Sequence, residues 1–113
     1  MARAATTSDV FNAVAEPRRR AILELIASAE LPVGELVRCT GLGQPQVSKH
    51  LRVLRDVEAV LVRERGRERL YRVNGAALAP IGEWLRNFEH LWNERFDALE
   101  DVLDEINERE DEQ

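Results

Sequence analysis

One cysteine, two histidines and no long apolar run are the first things this 113-residue sequence says about itself. A lone Cys39 forbids an internal disulfide and fits a reducing, cytoplasmic setting. So small a stock of Cys and His leaves little for a metal centre or a nucleophile–base pair. No metal site, catalytic residue or cofactor is expected, and an enzyme is the least supported class. No segment approaches the roughly 18 apolar residues of a membrane span, so no membrane partner is expected. Ala2 to Ala5 are too few for the apolar core of a signal peptide. The length suits one domain with a modest core that would benefit from an oligomer interface.

The net charge of −5 looks wrong for a protein that meets nucleic acid, but it is unevenly placed. Residues 1–75 hold 13 Lys+Arg against 9 Asp+Glu, a surplus of +4, and residues 76–113 hold 3 against 12, a deficit of −9. A basic part, 1–75, therefore carries an acidic segment, 76–113, within one structural domain. DNA would attract the first and be repelled by the second.

The most telling stretch is Gly43 to Val57, GQPQVSKHLRVLRDV. Val47, Leu51 and Leu54 recur at helical spacing and form an apolar face. Gln44, Gln46, Ser48, Lys49, Arg52 and Arg55 are hydrogen-bond donors on the other side. Gly43 suits the N-cap, Pro45 is tolerated in the first turn, and Gln46 at the third helical position can reach back to the cap. Amides, a hydroxyl and an ammonium at a helix N-terminus suit base reading in a major groove. The bland alternative is an ordinary amphipathic surface helix.

Around it the chain reads as follows. Ser8, with Thr6 and Thr7 behind it, is the expected cap of a first helix with Val10, Phe11, Val14 and Ala15 inward, and Asp9 favourable near its start. Pro17 ends that helix and starts a second, Pro17 to Ala29, with Ile22, Leu25 and Ile26 as its core face. Arg18, Arg19 and Arg20 oppose this helix's dipole; either a solvated turn or a phosphate contact would account for them. Leu31-Pro32-Val33 turns into a short third helix that ends at Thr40-Gly41, with Gly41 as left-handed cap and Leu36 and Val37 inward. A short helix, a glycine turn and a polar-faced helix make a helix-turn-helix.

After Glu58 the period changes. Ala59–Val62 and Leu70–Val73 read as strands around the polar loop 63–69, a hairpin that Asn74-Gly75 leaves. Arg63, Arg65, Arg67, Arg69 and Arg72 lie on it, suited to phosphate or minor-groove contact unless Glu64 and Glu68 pair with them. From Ala76 one long helix is expected to about Arg109, bent near Pro80. Ile81, Leu85, Phe88, Trp92, Leu99, Val102 and Ile106 form its seam, widened by Trp84, Leu91, Phe96 and Leu103. So long an apolar stripe marks an interaction surface, most naturally with a second copy. The tail from Glu108 to Gln113 should fray. Trp84 and Trp92 suit packing better than a ligand pocket, and Cys39 is expected to be buried as a small hydrophobe.

In sum the fold expected is mainly α with a small β-hairpin: a winged helix-turn-helix of order α-α-α-α-β-β-α with a long C-terminal dimerisation helix. FNAVAEPRRRAILELI, LPVGELV, GLGQPQVSKHLRVLRD and RERGRERLYRV follow one another across residues 11–73. In these phrases the chain resembles the ArsR/SmtB family of bacterial winged helix-turn-helix repressors. The resemblance implies a homodimer that binds double-stranded DNA at a near-palindromic operator and represses transcription. It points to Gln44, Pro45, Ser48, Lys49 and Arg67 as DNA-facing. Gln46, Arg52, Arg65 and Arg69 join them from the residue reading. Dimerisation in the family uses the first and last helices, which here gives Phe11, Val14, Leu85, Phe88, Trp92, Leu99, Val102, Leu103 and Ile106. Metal-sensing members carry paired cysteines where this chain has Pro32 and Gly34, and His90 with Glu94 one turn on is a poor substitute. A repressor that does not use the usual cysteine site follows, with an unidentified small-molecule effector, or a metal, as an open alternative. A competing class is a protein-interaction module that docks partners on the long helix.

Overall fold

The computed structural model describes residues 9–111. Asp9 caps helix α1 (Val10–Ala13), its Oδ1 accepting from the Asn12 N–H at 2.7 Å. The expected cap Ser8 lies outside the described residues. Helix α1 is only four residues long, and Val10 and Ala13 are buried while Phe11 and Ala15 are exposed and Val14 is half-buried. The inward face is therefore Val10, Ala13 and Val14, because the chain turns at Val14 and Ala15 instead of continuing the helix to Pro17.

Helix α2 (Pro17–Ser28) starts with Pro17 in the first turn, and the Glu16 carboxylate accepts from the Arg18 N–H at 2.9 Å. Its buried residues are Ile22, Leu23 and Ile26, with Leu25 only half-buried. Leu23 takes the place expected for Leu25 because Leu78 and Ile81 approach that side of the helix. Arg19 and Arg20 neither dangle nor wait for phosphate. Arg19 donates to the Ala13 carbonyl (2.5 Å) and the Asn12 carbonyl (3.3 Å), and Arg20 to the carbonyls of Val14 (2.7 Å) and Ala15 (3.3 Å). The carbonyls lie at the C-terminal end of α1 and in the turn after it, where a short helix leaves acceptor capacity to spare; that of Asn12 also accepts from the Ala15 N–H at 3.1 Å. The arginines thus fasten α1 to α2, which offsets their unfavourable place at a helix N-terminus.

Strand β1 (Leu31–Pro32) leads directly into α3 (Val33–Thr40). Helix α3 ends at Gly41, whose φ of +73° is the left-handed geometry that glycine adopts without steric cost; its N–H donates to the Val37 carbonyl at 3.0 Å. The Thr40 hydroxyl donates to the Leu36 carbonyl (2.6 Å) and accepts from the Leu42 N–H (3.3 Å), fixing the turn. Helix α4 (Gln44–Asp56) follows, with Val47, Leu51 and Leu54 buried. Its C-terminus closes in a Schellman arrangement: the Ala59 N–H reaches the Leu54 carbonyl and the Glu58 N–H the Arg55 carbonyl, both at 2.9 Å. Glu58 holds a φ of +62° there, a conformation costly for a residue with a Cβ. Asn74 ties the motif down, its Nδ2 donating to the Glu58 carbonyl (2.9 Å) and its N–H to the Ala59 carbonyl (2.9 Å).

The hairpin is longer than its β-rich ends suggest. Strands β2 (Val60–Arg65) and β3 (Glu68–Val73) leave only Gly66-Arg67 as the loop, not 63–69. Nor is the sheet two-stranded. Leu31 pairs with Tyr71 and Pro32 with Leu70, giving an antiparallel sheet of order β1-β3-β2. Proline is acceptable there because β1 is an edge strand. The buried core joins Ile22, Ile26, Leu36, Val47, Leu51, Leu54, Val60 and Tyr71.

A 3₁₀ turn (Gly75–Leu78) precedes α5 (Ala79–Arg86). Ala77, Leu78 and Ile81 pack on the core, and the first compact unit runs to Ile81 with the second beginning at Gly82. The single long helix is in fact two. Pro80 sits in the first turn of α5, where its missing N–H costs nothing. The break comes at Asn87-Phe88, where the N–H groups donate to the Trp84 (3.2 Å) and Leu85 (3.0 Å) carbonyls in the tighter i→i+3 pattern. Helix α6 (Glu89–Asp111) has 23 residues. At 1.5 Å per residue it is about 34 Å long.

Candidate nucleic-acid interface

Helix α4 presents its N-terminal half to solvent because the cap is satisfied from within. The Gly43 N–H donates to Gln46 Oε1 at 3.2 Å, and the Gly43 carbonyl accepts from the N–H groups of Gln46 and Val47, both at 3.1 Å. Gln44, Pro45, Ser48, Lys49 and Arg52 are exposed on the same helix. Gln46 is exposed too, but its carbonyl oxygen is already engaged, so only its NH₂ group remains for a base or phosphate.

The wing is set by its turn and register. Gly66 has a φ of +63° at the first loop position, the geometry of a type II′ turn, and Arg67 stands beside it at the tip. Val62 opposes Tyr71 and Glu64 opposes Arg69; on the other face Leu61 opposes Arg72 and Arg63 opposes Leu70. The five arginines therefore do not act as one set. Arg63 and Arg72 converge on Glu30, with Arg63 Nε 2.8 Å from both carboxylate oxygens and Arg72 Nη1 at 3.4 Å. The Arg63 guanidinium beside Glu30 holds that carboxyl below its ordinary value. Two wing arginines are thus occupied by a carboxylate that is neither Glu64 nor Glu68.

The other cations sort cleanly. Arg18 pairs with Glu16 and Arg38 with Glu35, while Arg19 and Arg20 bind carbonyls. Among the described residues up to Ile81, the cations with no carboxylate or carbonyl partner are Lys49, Arg52, Arg55, Arg65, Arg67 and Arg69. All six are exposed, and all lie on α4 or the wing. Ser48, Arg52 and Arg69, three of the expected contacts, border one cleft of about 500 Å³ with Arg55, Asp56 and Tyr71. Arg55 was not among the expected DNA contacts, although Ser48, Arg52 and Arg55 at i, i+4 and i+7 share a helical face.

His50 also escaped notice. It is half-buried on α4, and its Nδ1 is sealed from solvent with no partner among the described residues. Burial pushes its pKa below the ordinary 6.5; the charges of Arg19, Arg18 and Lys49 act the same way, and Glu16 acts against them.

A polar, cationic helix–wing surface is what a DNA-reading winged helix needs. Residues 16–60 match the model of the bacterial regulatory protein arsR family. The HTH-type transcriptional regulator Rv2034 of Mycobacterium tuberculosis is 34% identical over 83% of this chain and 85% of its own. The chain belongs to the ArsR family. As a member it is a DNA-binding transcriptional regulator. The transcriptional repressor SdpR of Bacillus subtilis is 28% identical over 72% of this chain and 90% of that protein. A homodimeric winged helix-turn-helix DNA-binding domain from Mycobacterium bovis, solved in solution, superposes with a TM-score of 0.59 at 28% identity, covering 72% of this chain and 75% of that one.

Metal-sensing members of the family raise the question whether this ArsR-family chain could hold a metal. Pro32 is the N-cap of α3 and Gly34 its second residue, and neither has a donor side chain. Among the described residues no three His, Cys, Asp or Glu side chains gather into a cation-sized group. Cys39, expected to be buried, is exposed, because α3 turns Leu36 and Val37 inward and leaves its last turn outside; Arg38 Nη2 lies 3.6 Å from the thiol sulfur.

The residues expected at a dimer interface fall into two groups. Val14 packs against the core of its own unit, and Phe11 is exposed. In the second unit Leu85, Phe88, Trp92, Leu99, Val102, Leu103 and Ile106 are all exposed, Leu99 by 54%. The Trp84 and Phe88 rings meet edge to face with centroids 5.1 Å apart. None of the described helices is long and apolar enough to cross a membrane.

Proposed function

We propose that this regulator is a cytoplasmic homodimeric repressor that binds a near-palindromic operator, acting by binding and not by catalysis. The observation that carries the reading is the sorting of the cations in the first unit: among the described residues up to Ile81, those without a carboxylate or carbonyl partner are confined to α4 and the wing. In this reading Gln44, Ser48 and Lys49 meet base edges and phosphates in the major groove, with Pro45 and the free amide of Gln46 beside them. Arg52, Arg65, Arg67 and Arg69 neutralise backbone phosphates. The exposed seam of α6 joins two copies, so that two α4 helices meet successive turns of B-DNA, about 34–36 Å apart. Repression through the usual cysteine metal site is not part of this reading, since Pro32 and Gly34 offer no ligand.

The test compares a duplex selected by the protein from a random pool with unselected DNA. Gln44→Ala should lower affinity for the selected duplex by about 1–3 kcal/mol and leave unselected DNA nearly unaffected, because it removes a base contact and no charge. Equal losses on both DNAs would take Gln44 out of the reading set.

A further inference from the structure

The cleft between α4 and β3 carries more charge than a folded protein needs there. Three guanidiniums, those of Arg52, Arg55 and Arg69, border it, and Asp56 is the single carboxylate on its rim. Among the described residues none of the three is paired with that carboxylate or any other. Elsewhere in the same unit Arg18, Arg38, Arg63 and Arg72 all have carboxylate partners. Like charges gathered without counter-charge repel one another, so the arrangement is most stable when an anion enters. The Ser48 hydroxyl adds a neutral donor at the rim, and Tyr71 forms part of its buried wall. A volume of about 500 Å³ accommodates a tetrahedral anion with part of its hydration shell, at about 30 Å³ per water.

We propose that this cleft is a seat for one phosphodiester group of the DNA backbone, gripped from the helix side by Arg52 and Arg55 and from the wing side by Arg69. The inference rests on the DNA-binding reading and adds a residue and a role to it. Planar guanidiniums match phosphate oxygens in a two-point fashion, and a grip drawn from both helix and strand fixes the angle between them on the duplex. The seat sets register and carries no sequence information itself, whereas Gln44 and Lys49 lie outside it.

The experiment places one uncharged methylphosphonate at a time along each strand of the selected duplex and measures binding of the full chain. The unmodified protein should show, in each half-site, a position where neutralising the phosphate weakens binding about tenfold or more. In Arg55→Gln the penalty at that position should shrink while the penalties elsewhere stay the same. In the Arg52→Gln/Arg55→Gln/Arg69→Gln variant it should vanish. All three side chains are exposed, so an unchanged thermal midpoint checks that the variants fold. Selective DNA binding in which Arg55→Gln alters no position overturns the seat while leaving the regulator reading intact. Failure of the unmodified protein to bind any duplex removes both. An Arg55-dependent site for inorganic phosphate, without a sensitive position on the DNA, would reassign the cleft to a free anion and overturn the proposal.

Discussion

Arg63→Ala and Arg67→Ala remove the same charge from the same hairpin, yet they should act differently on DNA. Arg67 stands at the tip beside Gly66 with no internal partner, whereas Arg63 is held by both oxygens of Glu30. A phosphate contact contributes about 0.9 to the slope of log K against log salt. With one such contact from each protomer, Arg67→Ala should flatten the slope by about 1.8. Between about 50 and 200 mM salt that difference amounts to roughly tenfold in affinity. Arg63→Ala should leave the slope unchanged, because its charge is already answered by a carboxylate. Fluorescence anisotropy of a labelled duplex over a salt series reads both variants directly. Equal flattening in the two would refute the division of the wing arginines into paired and unpaired sets.

Three further outcomes follow from the same geometry. Leu99→Glu combined with Leu103→Glu places two carboxylates in the exposed seam of α6, and should give a monomer in sedimentation with loss of operator binding; a dimer that still binds would put the interface on another surface, α1 with Phe11 being the first to examine. Glu58→Gly relieves the positive φ at the end of α4 and should raise unfolding free energy by about 1 kcal/mol, where Glu58→Ala should give no gain; equal effects would mean that the Cβ is not what strains this position. His50 is harder to protonate in the folded chain than in the unfolded one, so the unfolded state takes up the proton first and stability falls as pH drops below 6.5. Glu16 and Glu30, both shifted below 4.5, add their own losses only at lower pH. Denaturant midpoints from about pH 7 to 5 should therefore decline in the unmodified chain and stay flatter in His50→Leu; parallel declines would clear His50 of the effect.

What the sequence showed and what it hid divide by distance along the chain. The cap of α4 was legible because Gly43, Pro45 and Gln46 are neighbours whose chemistry is local. Gly41 was legible for the same reason, and so was the core face Val47, Leu51 and Leu54. The pairing of Leu31-Pro32 with Tyr71 and Leu70 was not, since a two-residue strand has no period to read. Glu30 lies 33 residues from Arg63 and 42 from Arg72, beyond any local pattern, so five arginines on a hairpin looked equivalent when two were already bound. Leu23 in place of Leu25 and the exposure of Cys39 depended on which side of a helix the later chain would cover. The break at Asn87-Phe88 carries neither proline nor glycine, while Pro80 drew attention to a place where the helix merely begins. For the proposed interface, the sequence pointed to the helix and the wing tip, whereas the cleft that brings Arg69 beside Arg52 and Arg55 required the placement of β3 beside α4.

The central claim is that, in the unit ending at Ile81, the DNA-facing cations are those left without internal partners, on α4 and the wing. Amide and arginine side-chain NMR shifts, recorded while the selected duplex is titrated into the labelled protein, test it directly. The account predicts the largest changes at residues 44–52, at Arg55, and at residues 65–69, with the Arg63 and Arg72 side chains near Glu30 unmoved. Large changes centred on Arg63, Arg72 and Glu30, with α4 silent, would contradict it.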